Sequence, residues 1–362
     1  MANRILKTAL IGQGFMGRAH SNAYHQVKHF FDLPFEIERT IICGRNQATL
    51  DQMAATWGWN ETATDWRTLI ERKDIDIIDI ATPNSLHAEI AIAAAEAGKI
   101  VFCEKPLALT EAEGERMAAA AKHVPNMVWF NYRRVPAIAY TRRLIEEDRL
   151  GRIYHYRATY LQEWGTDPTR PPSWKTQKAV AGSGVLGDLL SHVVDTALYL
   201  NGDIKAVSAM QQTFAEGRDI DDAALVLVRF ANGSIGSFEA TRYATGCKNA
   251  NRYEIHGAKG MAAFHLENLN HLQFLDATEP RNLHGIRNML VTGPDHPFSG
   301  NFWKPGHVIG YEHTFIAALG EFLRALADGQ PFHPNFDDAQ RVQRVLAAIE
   351  KASQTERWIE LL

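Results

Sequence analysis

A glycine-rich turn near the start of the chain reads Gly12-Gln13-Gly14-Phe15-Met16-Gly17 and directly follows the apolar run Thr8-Ala9-Leu10-Ile11. Between a strand and a helix, this G-x-G-x-x-G pattern is typical of a turn that binds a dinucleotide. We expect Gly12 to make the tight turn, Gly14 to let a pyrophosphate approach the backbone, and Gly17 to let the helix pack on the strand. The first N–H groups of the helix would then face the phosphates.

Two periodicities alternate through the first 130 residues. The predicted strands are 8–11, 37–43, 75–80, 100–103 and 127–130, and the predicted helices are 16–30, 47–57, 86–97 and 111–123. Alternation of strands and helices indicates a parallel, doubly wound sheet. We therefore predict an α/β, Rossmann-type dinucleotide-binding domain over residues 1–130.

The pattern changes after residue 130. A helix at 137–147, a strand at 153–161 and a helix near 187–200 precede successive strands with hairpin-like turns from 206 to about 275, and two helices close the chain. Such a pattern is typical of an α+β fold. We predict a second domain over residues 131–362, built on a large, mostly antiparallel, open sheet.

Composition argues against several kinds of partner. Lys and Arg number 38 and Asp and Glu 42, so the net charge of −4 gives no electrostatic reason to expect nucleic acid or an anionic membrane. No apolar run approaches the roughly 18 residues of a membrane helix. The three cysteines, Cys43, Cys103 and Cys247, are far apart, which argues against disulfides and a structural zinc site. We predict a cytoplasmic protein without a metal.

The end of the second predicted strand, Cys43-Gly44-Arg45, bears on the choice of cofactor. NAD-binding domains usually carry an acidic residue there for the ribose 2′-hydroxyl. Here Gly44 leaves room, and the Arg45 guanidinium suits a 2′-phosphate. A solvated arginine, or one that stacks on adenine, is the alternative interpretation of Arg45. The sequence favours NADP(H), with NAD(H) as the alternative.

A lysine follows a predicted central strand in Cys103-Glu104-Lys105-Pro106. Ligands of open α/β sheets bind at the carboxyl ends of the strands, so Lys105 is expected beside the nicotinamide. The alternative is a surface Lys-Pro turn. Sequence alone leaves both interpretations open.

Asp188 and His192 occur in Gly184-Val185-Leu186-Gly187-Asp188-Leu189-Leu190-Ser191-His192, four residues apart and thus on one helical face. The glycines of this stretch would let a substrate or the nicotinamide approach the backbone. A histidine that titrates near neutral pH, or a lysine whose pKa is lowered by burial, can accept the proton of a secondary hydroxyl. A local Asp–His pair or a buried core histidine is the alternative, and two ligands without a third make a metal site a poor explanation.

Together these segments resemble the glucose–fructose oxidoreductase/inositol dehydrogenase (Gfo/Idh/MocA) family. The resemblance rests on four motifs in order: the turn 12–17, Ala81-Thr82-Pro83-Asn84 with His87, Glu104-Lys105-Pro106, and Gly187–His192. Stretches 130–134, 160–164, 181–184 and 309–311 are similar to sugar-oxidising members. Two positions depart from the pattern: similar enzymes often have an acidic residue where Gly44 stands, and many have Arg where Lys175 follows Trp174.

The resemblance implies oxidation of a secondary hydroxyl of a sugar, an anhydrosugar or a cyclic polyol such as inositol to the ketone, with NAD(P). Lys105, Asp188 and His192 would be the catalytic residues: His192 as general base, Lys105 holding the substrate oxygen and sharing the proton relay, and Asp188 tuning Lys105. The cofactor would contact Gly12, Gln13, Gly14, Phe15, Met16, Gly17, Gly44 and Arg45, and on the nicotinamide side Thr82, Pro83, Asn84, His87, Glu104 and Lys105. The substrate would contact Tyr132, Tyr160, Gln162, Trp174, Asp188 and His192. The open sheet would mediate a homodimer or homotetramer.

Two other functions compete with the dehydrogenase. An NAD-dependent glycoside hydrolase would oxidise the sugar transiently, eliminate the aglycone and return the hydride. A non-catalytic nucleotide sensor is the other, although it would have no use for Lys105, Asp188 and His192. Accumulation of reduced cofactor distinguishes the dehydrogenase from the hydrolase.

Overall fold

The computed structural model describes residues 4–167, 169–171 and 173–361. Internal contacts divide the chain into two units: the residues up to Asn131 with Tyr311–Arg341, and Tyr132–Gly310 with the residues from Val342 on. The sequence predicted two continuous domains, 1–130 and 131–362. It gave no reason to group 311–341 with the first, because an amphipathic helical pattern does not specify which sheet the helix covers.

Within the described residues, six strands form the sheet of the first unit, in the order β3-β2-β1-β4-β5-β6 and parallel throughout. The strands are β1 (Arg4–Ile11), β2 (Phe35–Cys43), β3 (Glu61–Ala63), β4 (Ile77–Ile80), β5 (Ile100–Cys103) and β6 (Asn126–Val128). The helices that connect them are α1 (Phe15–Phe30), α2 (Gln47–Trp57), α3 (Arg67–Glu71), α4 (His87–Glu96) and α5 (Glu111–Ala120). This is the predicted doubly wound Rossmann arrangement, and the prediction is confirmed.

Burial explains why the central strands read as continuous apolar runs. Every residue of β4 is buried, and β5 is buried except for partial exposure at Ile100. Parallel strands covered by helices on both faces require such sequences. Asp79 is an exception, since its carboxylate lies in the middle of β4 without exposed area. A buried charge needs partners, and those of Asp79 belong to the candidate site described below.

Several details of the first unit differ from the predicted elements. Strand β3 and helix α3 were missed, because three and five residues are too few to show a periodicity. The last strand ends at Val128 rather than at residue 130.

Helix α9 (Tyr311–Ala327) packs against α1, and a Cβ at Gly320 would lie 2.6 Å from the Phe31 ring.

Nine strands of the described chain form the sheet of the second unit, in the order β14-β13-β12-β11-β7-β10-β9-β8-β15. They are β7 (Ile153–Leu161), β8 (Ile204–Gln212), β9 (Ala223–Phe230), β10 (Ile235–Thr241), β11 (Ala250–Gly257), β12 (Gly260–His265), β13 (His271–Asp276), β14 (Arg287–Leu290) and β15 (Ile359–Glu360). Neighbouring strands are antiparallel except β7 and β10, which are parallel. The predicted α+β fold with a mostly antiparallel sheet is confirmed.

Helices α6 (Pro136–Glu146) and α8 (Ser191–Asn201) pack against this sheet. The other helices are α7 (Lys178–Ala181), in the second unit, and α10 (Phe336–Thr355), which runs from the first unit into the second. Buried and exposed residues alternate along β9, and the exposed positions include Leu225 and Leu227. A half-buried antiparallel strand normally carries polar residues at such positions, so this face of the sheet is unusually apolar.

Candidate functional site

The residues predicted for the cofactor lie in the first unit, where Gly12, Thr82 and Glu104 follow the carboxyl ends of β1, β4 and β5. This is the edge at which open parallel sheets bind ligands. The residues predicted for the substrate lie in the second unit: Tyr132, Tyr160, Gln162, Trp174, Asp188 and His192.

The three glycines of the first turn have different structural roles. Gly12 has a φ of +137°, and a Cβ there would lie 2.2 Å from the Ala81 carbonyl oxygen. A Cβ at Gly17 would lie 2.1 Å from the Gly12 carbonyl oxygen. Gly14 has no described atom within 4 Å of its Cβ position, and it precedes α1 without a side-chain capping bond. Gly12 and Gly17 therefore serve packing, whereas Gly14 leaves the helix N-terminus open to a phosphate. This turn fits the predicted dinucleotide.

The space expected beside Gly44 is taken by the Gln13 side chain. Gln13 Oε1 accepts from the Asn46 backbone N–H at 3.0 Å, and Gln13 Nε2 donates to the Asn46 carbonyl at 3.3 Å. A Cβ at Gly44 would lie 2.1 Å from Gln13 Oε1. Arg45 is exposed and forms no hydrogen bond or ion pair within the described part of the chain. The argument for a 2′-phosphate therefore rests on Arg45 alone.

The turn after β4 offers one polar atom to a ligand. Thr82 Oγ1 is buried and has no hydrogen-bond partner among the described residues. Pro83 and the buried Asn84 continue into a 3₁₀ turn, after which His87 begins α4. The His87 ring lies 3.0 Å from the Pro106 carbonyl and 3.1 Å from the Thr82 carbonyl. Burial lowers the pKa of His87. In its neutral form the ring can donate to only one of these two carbonyls.

His20 on α1 lies between two carboxylates from different strands. Its Nδ1 is 3.0 Å from Asp79 Oδ2, and its Nε2 is 3.0 Å from Glu104 Oε1. Neither His20 nor Asp79 has exposed area. Burial alone would lower the pKa of His20, but attraction to Asp79 and hydrogen bonds to both carboxylates raise this pKa to about 9. The ring is therefore a buried imidazolium that donates to both carboxylates.

Glu104 connects this imidazolium to the turn that carries Lys105. Its Oε2 accepts from the Lys105 backbone N–H at 3.0 Å. Both oxygens of Glu104, which was predicted to contact the cofactor, thus have partners inside the protein. Sequence reasoning missed His20 and Asp79. The one available signal was Asp79, a carboxylate inside the apolar run of β4.

Asp188 lies in a π-helical turn, Leu186–Leu190, that precedes α8, where a regular helix was predicted. Such turns are rare and are frequently found at functional sites. The Asp221 carboxylate accepts from the backbone N–H groups of Gly184 and Leu186, at 2.5 and 2.7 Å. A Cβ at Gly184 would lie 1.7 Å from the Asp221 carbonyl oxygen. Gly184 therefore permits a contact within the protein, instead of the ligand approach that was expected.

Two cations share the Asp188 carboxylate. Lys175 Nζ lies 3.2 Å from both oxygens, and Arg242 Nη2 lies 3.2 Å from Oδ2. Lys175 also lies 5.8 Å from the ring centre of Trp174. The Arg242 guanidinium is buried against the Trp164 ring, at 4.6 Å. Lys175, where similar enzymes often have Arg, thus belongs to this cluster. Arg242 was missed because no motif in the sequence marks it.

A chain of hydrogen bonds joins the other substrate candidates. The hydroxyls of Tyr132 and Tyr160 are 3.1 Å apart, and Tyr160 donates to Asn249 Oδ1 at 2.7 Å. Gln162 Nε2 donates to the same Asn249 oxygen at 2.9 Å. Trp164 Nε1 donates to Gln162 Oε1 at 2.7 Å. The second unit therefore orients several polar groups next to one another, and Asn249 is a member that the sequence did not indicate.

His192 packs into this polar cluster from α8. Its ring centre is 4.4 Å from that of Tyr132 and 6.0 Å from that of Tyr160, and the residue is 7% exposed. A buried imidazole packed beside aromatic rings has little freedom to rotate, and a general base must be positioned in this way. Sugar hydroxyls are recognised by such oriented amides and phenols, while aromatic rings cover the faces of a sugar.

No group of three His, Cys, Asp or Glu side chains that could hold a metal ion occurs in the described ranges. Nor does any helix there have the length and apolar character to cross a membrane.

Family models match two consecutive stretches of the chain. A model of an oxidoreductase family with an NAD-binding Rossmann fold matches residues 6–132. A model of the GFO/IDH/MocA C-terminal domain matches residues 138–263.

Several oxidoreductases are similar to the chain over nearly its full length. Levoglucosan dehydrogenase of Pseudarthrobacter phenanthrenivorans is 42% identical to the chain, over 98% of each sequence. The crystal structure of an oxidoreductase domain protein from Kribbella flavida has a TM-score of 0.96 and 47% identity, over 100% of each chain. A levoglucosan dehydrogenase in complex with NADH and levoglucosan has a TM-score of 0.96 and 43% identity, over 99% of each chain.

We predict that Gly14→Val and Gly17→Val affect different properties. Gly14→Val should weaken dinucleotide binding by about tenfold or more, because its side chain would enter the open space above the helix N-terminus. Its melting temperature should change little. Gly17→Val should instead lower the melting temperature, because its Cβ meets the Gly12 carbonyl. Fluorescence titration with NADH and thermal unfolding measure both effects, and equal loss of binding in two stable variants would contradict the assignment.

We predict that the free energy of unfolding falls as the pH rises from about 6.5 to about 9. The folded chain favours the His20 imidazolium, so this contribution is complete below the ordinary pKa of 6.5 and is lost as the pH passes through about 9. A shift of this size corresponds to roughly 3 kcal/mol. Urea unfolding of the chain and of His20→Gln should show a difference that shrinks towards high pH. A constant difference would mean that His20 is not charged.

Proposed function

The chain belongs to the Gfo/Idh/MocA oxidoreductase family, and on that basis we propose that it oxidises a secondary hydroxyl of a sugar, an anhydrosugar or a cyclic polyol to the ketone with a nicotinamide cofactor. The observation that carries the proposal is the polar cluster around His192, which combines a fixed imidazole with oriented phenol and amide groups. Similarity to a levoglucosan dehydrogenase solved with NADH and levoglucosan makes an anhydrosugar the first substrate to test.

The proposed chemistry assigns one task to each residue. His192 accepts the proton of the substrate hydroxyl, and packing beside the Tyr132 and Tyr160 rings orients its imidazole. Lys105 holds the substrate oxygen and shares the proton relay. When bound, a nicotinamide would supply the hydride acceptor for the carbon that carries this hydroxyl. Asp188 tunes Lys105, and it also forms ion pairs with Lys175 and Arg242.

Substrate recognition is assigned to the hydrogen-bond chain of the second unit. Tyr132, Tyr160 and Gln162 are the proposed hydroxyl contacts. Asn249 is added to these contacts, because its Oδ1 accepts hydrogen bonds from both Tyr160 and Gln162. Trp174, next to Lys175, is the proposed ring contact.

For the cofactor we propose NAD(H), with NADP(H) as the alternative. The NADH complexes of similar dehydrogenases support NAD(H). The Gln13 side chain beside Gly44 removes part of the case for a 2′-phosphate, whereas the exposed Arg45 supports it.

The three cysteines are free thiols, which supports the prediction of a cytoplasmic protein.

The central test is a spectrophotometric screen of the purified protein with NAD⁺ and NADP⁺. Levoglucosan, other anhydrosugars, hexoses, inositols and aryl glycosides serve as substrates. We expect reduced nicotinamide to accumulate with an anhydrosugar, a sugar or an inositol. Release of aglycone without net reduction would instead identify a glycoside hydrolase. Tighter binding of NADP⁺ than of NAD⁺ would support the role of Arg45 over our choice of cofactor.

The same assay tests the proposed base. His192→Ala should lower kcat by about 10²-fold or more, because the substrate hydroxyl would lose its proposed general base. Binding of NADH should stay intact. His256→Ala, a matched histidine on strand β11 of the same unit, should keep the normal rate. A near-normal kcat for His192→Ala would remove His192 from this role.

We also propose that the chain forms a homodimer or homotetramer through the exposed face of the nine-stranded sheet. Leu225 and Leu227 are 53% and 56% exposed, and Met210, paired with Leu225, is 67% exposed. Contiguous apolar surface of this kind is typical of a protein interface. Leu227→Arg should lower the mass measured by sedimentation, whereas Ile5→Arg, an exposed position in the other unit, should not. A monomeric starting protein would contradict the proposal.

A further inference from the structure

The histidine that follows the glycine turn, His20, is linked to the turn that carries Lys105. We propose that His20 is a positioning residue: it holds the Glu104 carboxylate, and Glu104 holds the backbone of Lys105. The inference rests on the proposed function, because it gives Lys105 a part in turnover.

Glu104 is held at three points. Its backbone N–H donates to the Ile80 carbonyl at 2.9 Å, which continues the pairing of β4 and β5. One carboxylate oxygen accepts from His20 Nε2, and the other accepts from the Lys105 backbone N–H, each at 3.0 Å. The Glu104 side chain therefore has one orientation, and that orientation sets the direction of the Lys105 amide.

His20 is held as firmly as Glu104. Its second ring nitrogen meets Asp79, whose carboxylate also accepts from Tyr24 Oη at 2.8 Å and Trp129 Nε1 at 3.0 Å. The imidazole stacks on the Trp129 ring with centres 4.3 Å apart. Because His20 has no exposed area, it can affect chemistry only through a neighbour such as Glu104.

Stability alone gives a weak reason for this arrangement. Two buried carboxylates around one imidazolium carry a net negative charge, and buried ion pairs are often no more stabilising than apolar residues of the same size. Holding a catalytic group in one geometry is a different benefit, because a displacement of about 1 Å can cost about 10²-fold in rate. The network thus suits a positioning role better than a purely structural one.

Two variants separate the links made by His20. In His20→Gln the amide nitrogen can replace Nε2 and donate to Glu104, whereas in His20→Asn it can replace Nδ1 and donate to Asp79. Both variants lose the imidazolium and keep one donor, so their losses of charge and hydrogen bonding match. They differ in which carboxylate keeps its donor: Glu104 in His20→Gln and Asp79 in His20→Asn.

We expect kcat to fall by about 30-fold or more in His20→Asn and by less than about tenfold in His20→Gln, at equal KM and equal NADH binding. Amide exchange of the peptide that contains Lys105 should rise in His20→Asn only. Equal kcat values, or the reverse order, would overturn the proposal. If His20→Asn does not fold, a loss near 10²-fold in well-folded His20→Gln would overturn it.

The exchange measurement separates this proposal from the proposed function. A wild-type chain that reduces no nicotinamide with any substrate would refute the proposed function, while faster exchange at Lys105 in His20→Asn would still show that His20 holds the turn. Conversely, an active wild-type chain whose two variants have the same kcat and the same exchange would refute only the role of His20.

Discussion

The first unit depends on the interaction of the buried His20 imidazolium with two carboxylates, at the carboxyl ends of its central strands. A charge without access to water must be matched by oriented partners, and here the partners are Asp79 inside β4 and Glu104 at the end of β5. The ring itself comes from the helix that the glycine turn starts. One side chain thus ties the dinucleotide turn to the turn of Lys105, so the loops at this edge are not independent of one another.

The second unit uses the opposite arrangement, a carboxylate between cations. Asp188 accepts from Lys175 and from the buried Arg242, and Arg242 in turn lies against Trp164. From Trp164 a continuous set of hydrogen bonds leads to Tyr160 and Tyr132, next to His192. Fixing these polar groups before a ligand arrives lowers the entropy cost of binding a hydroxyl-rich molecule. The cluster is therefore consistent with recognition of a sugar or polyol.

Several residues kept the position that sequence reasoning assigned but acquired a different neighbour. Gly44 was expected to make room for a phosphate, and Gln13 takes that room. Gly184 was expected to admit a ligand, and it admits Asp221 instead. Glu104 is predicted to contact the cofactor, and each of its oxygens also accepts a hydrogen bond from the protein. Gln13, Asp221 and His20, the neighbours in these three cases, are each more than 30 residues away in the sequence.

By itself the sequence determined the two fold classes, the parallel sheet of the first unit, the glycine turn and the family, because backbone sterics and hydrophobic periodicity act over a few residues. It also placed Lys105 at the end of a central strand. Only the tertiary structure decided which side chains meet: His20 with Asp79 and Glu104, and Asp188 with Lys175 and Arg242. Hydrogen bonds and ion pairs between distant segments depend on distances that folding creates, and no local pattern encodes them.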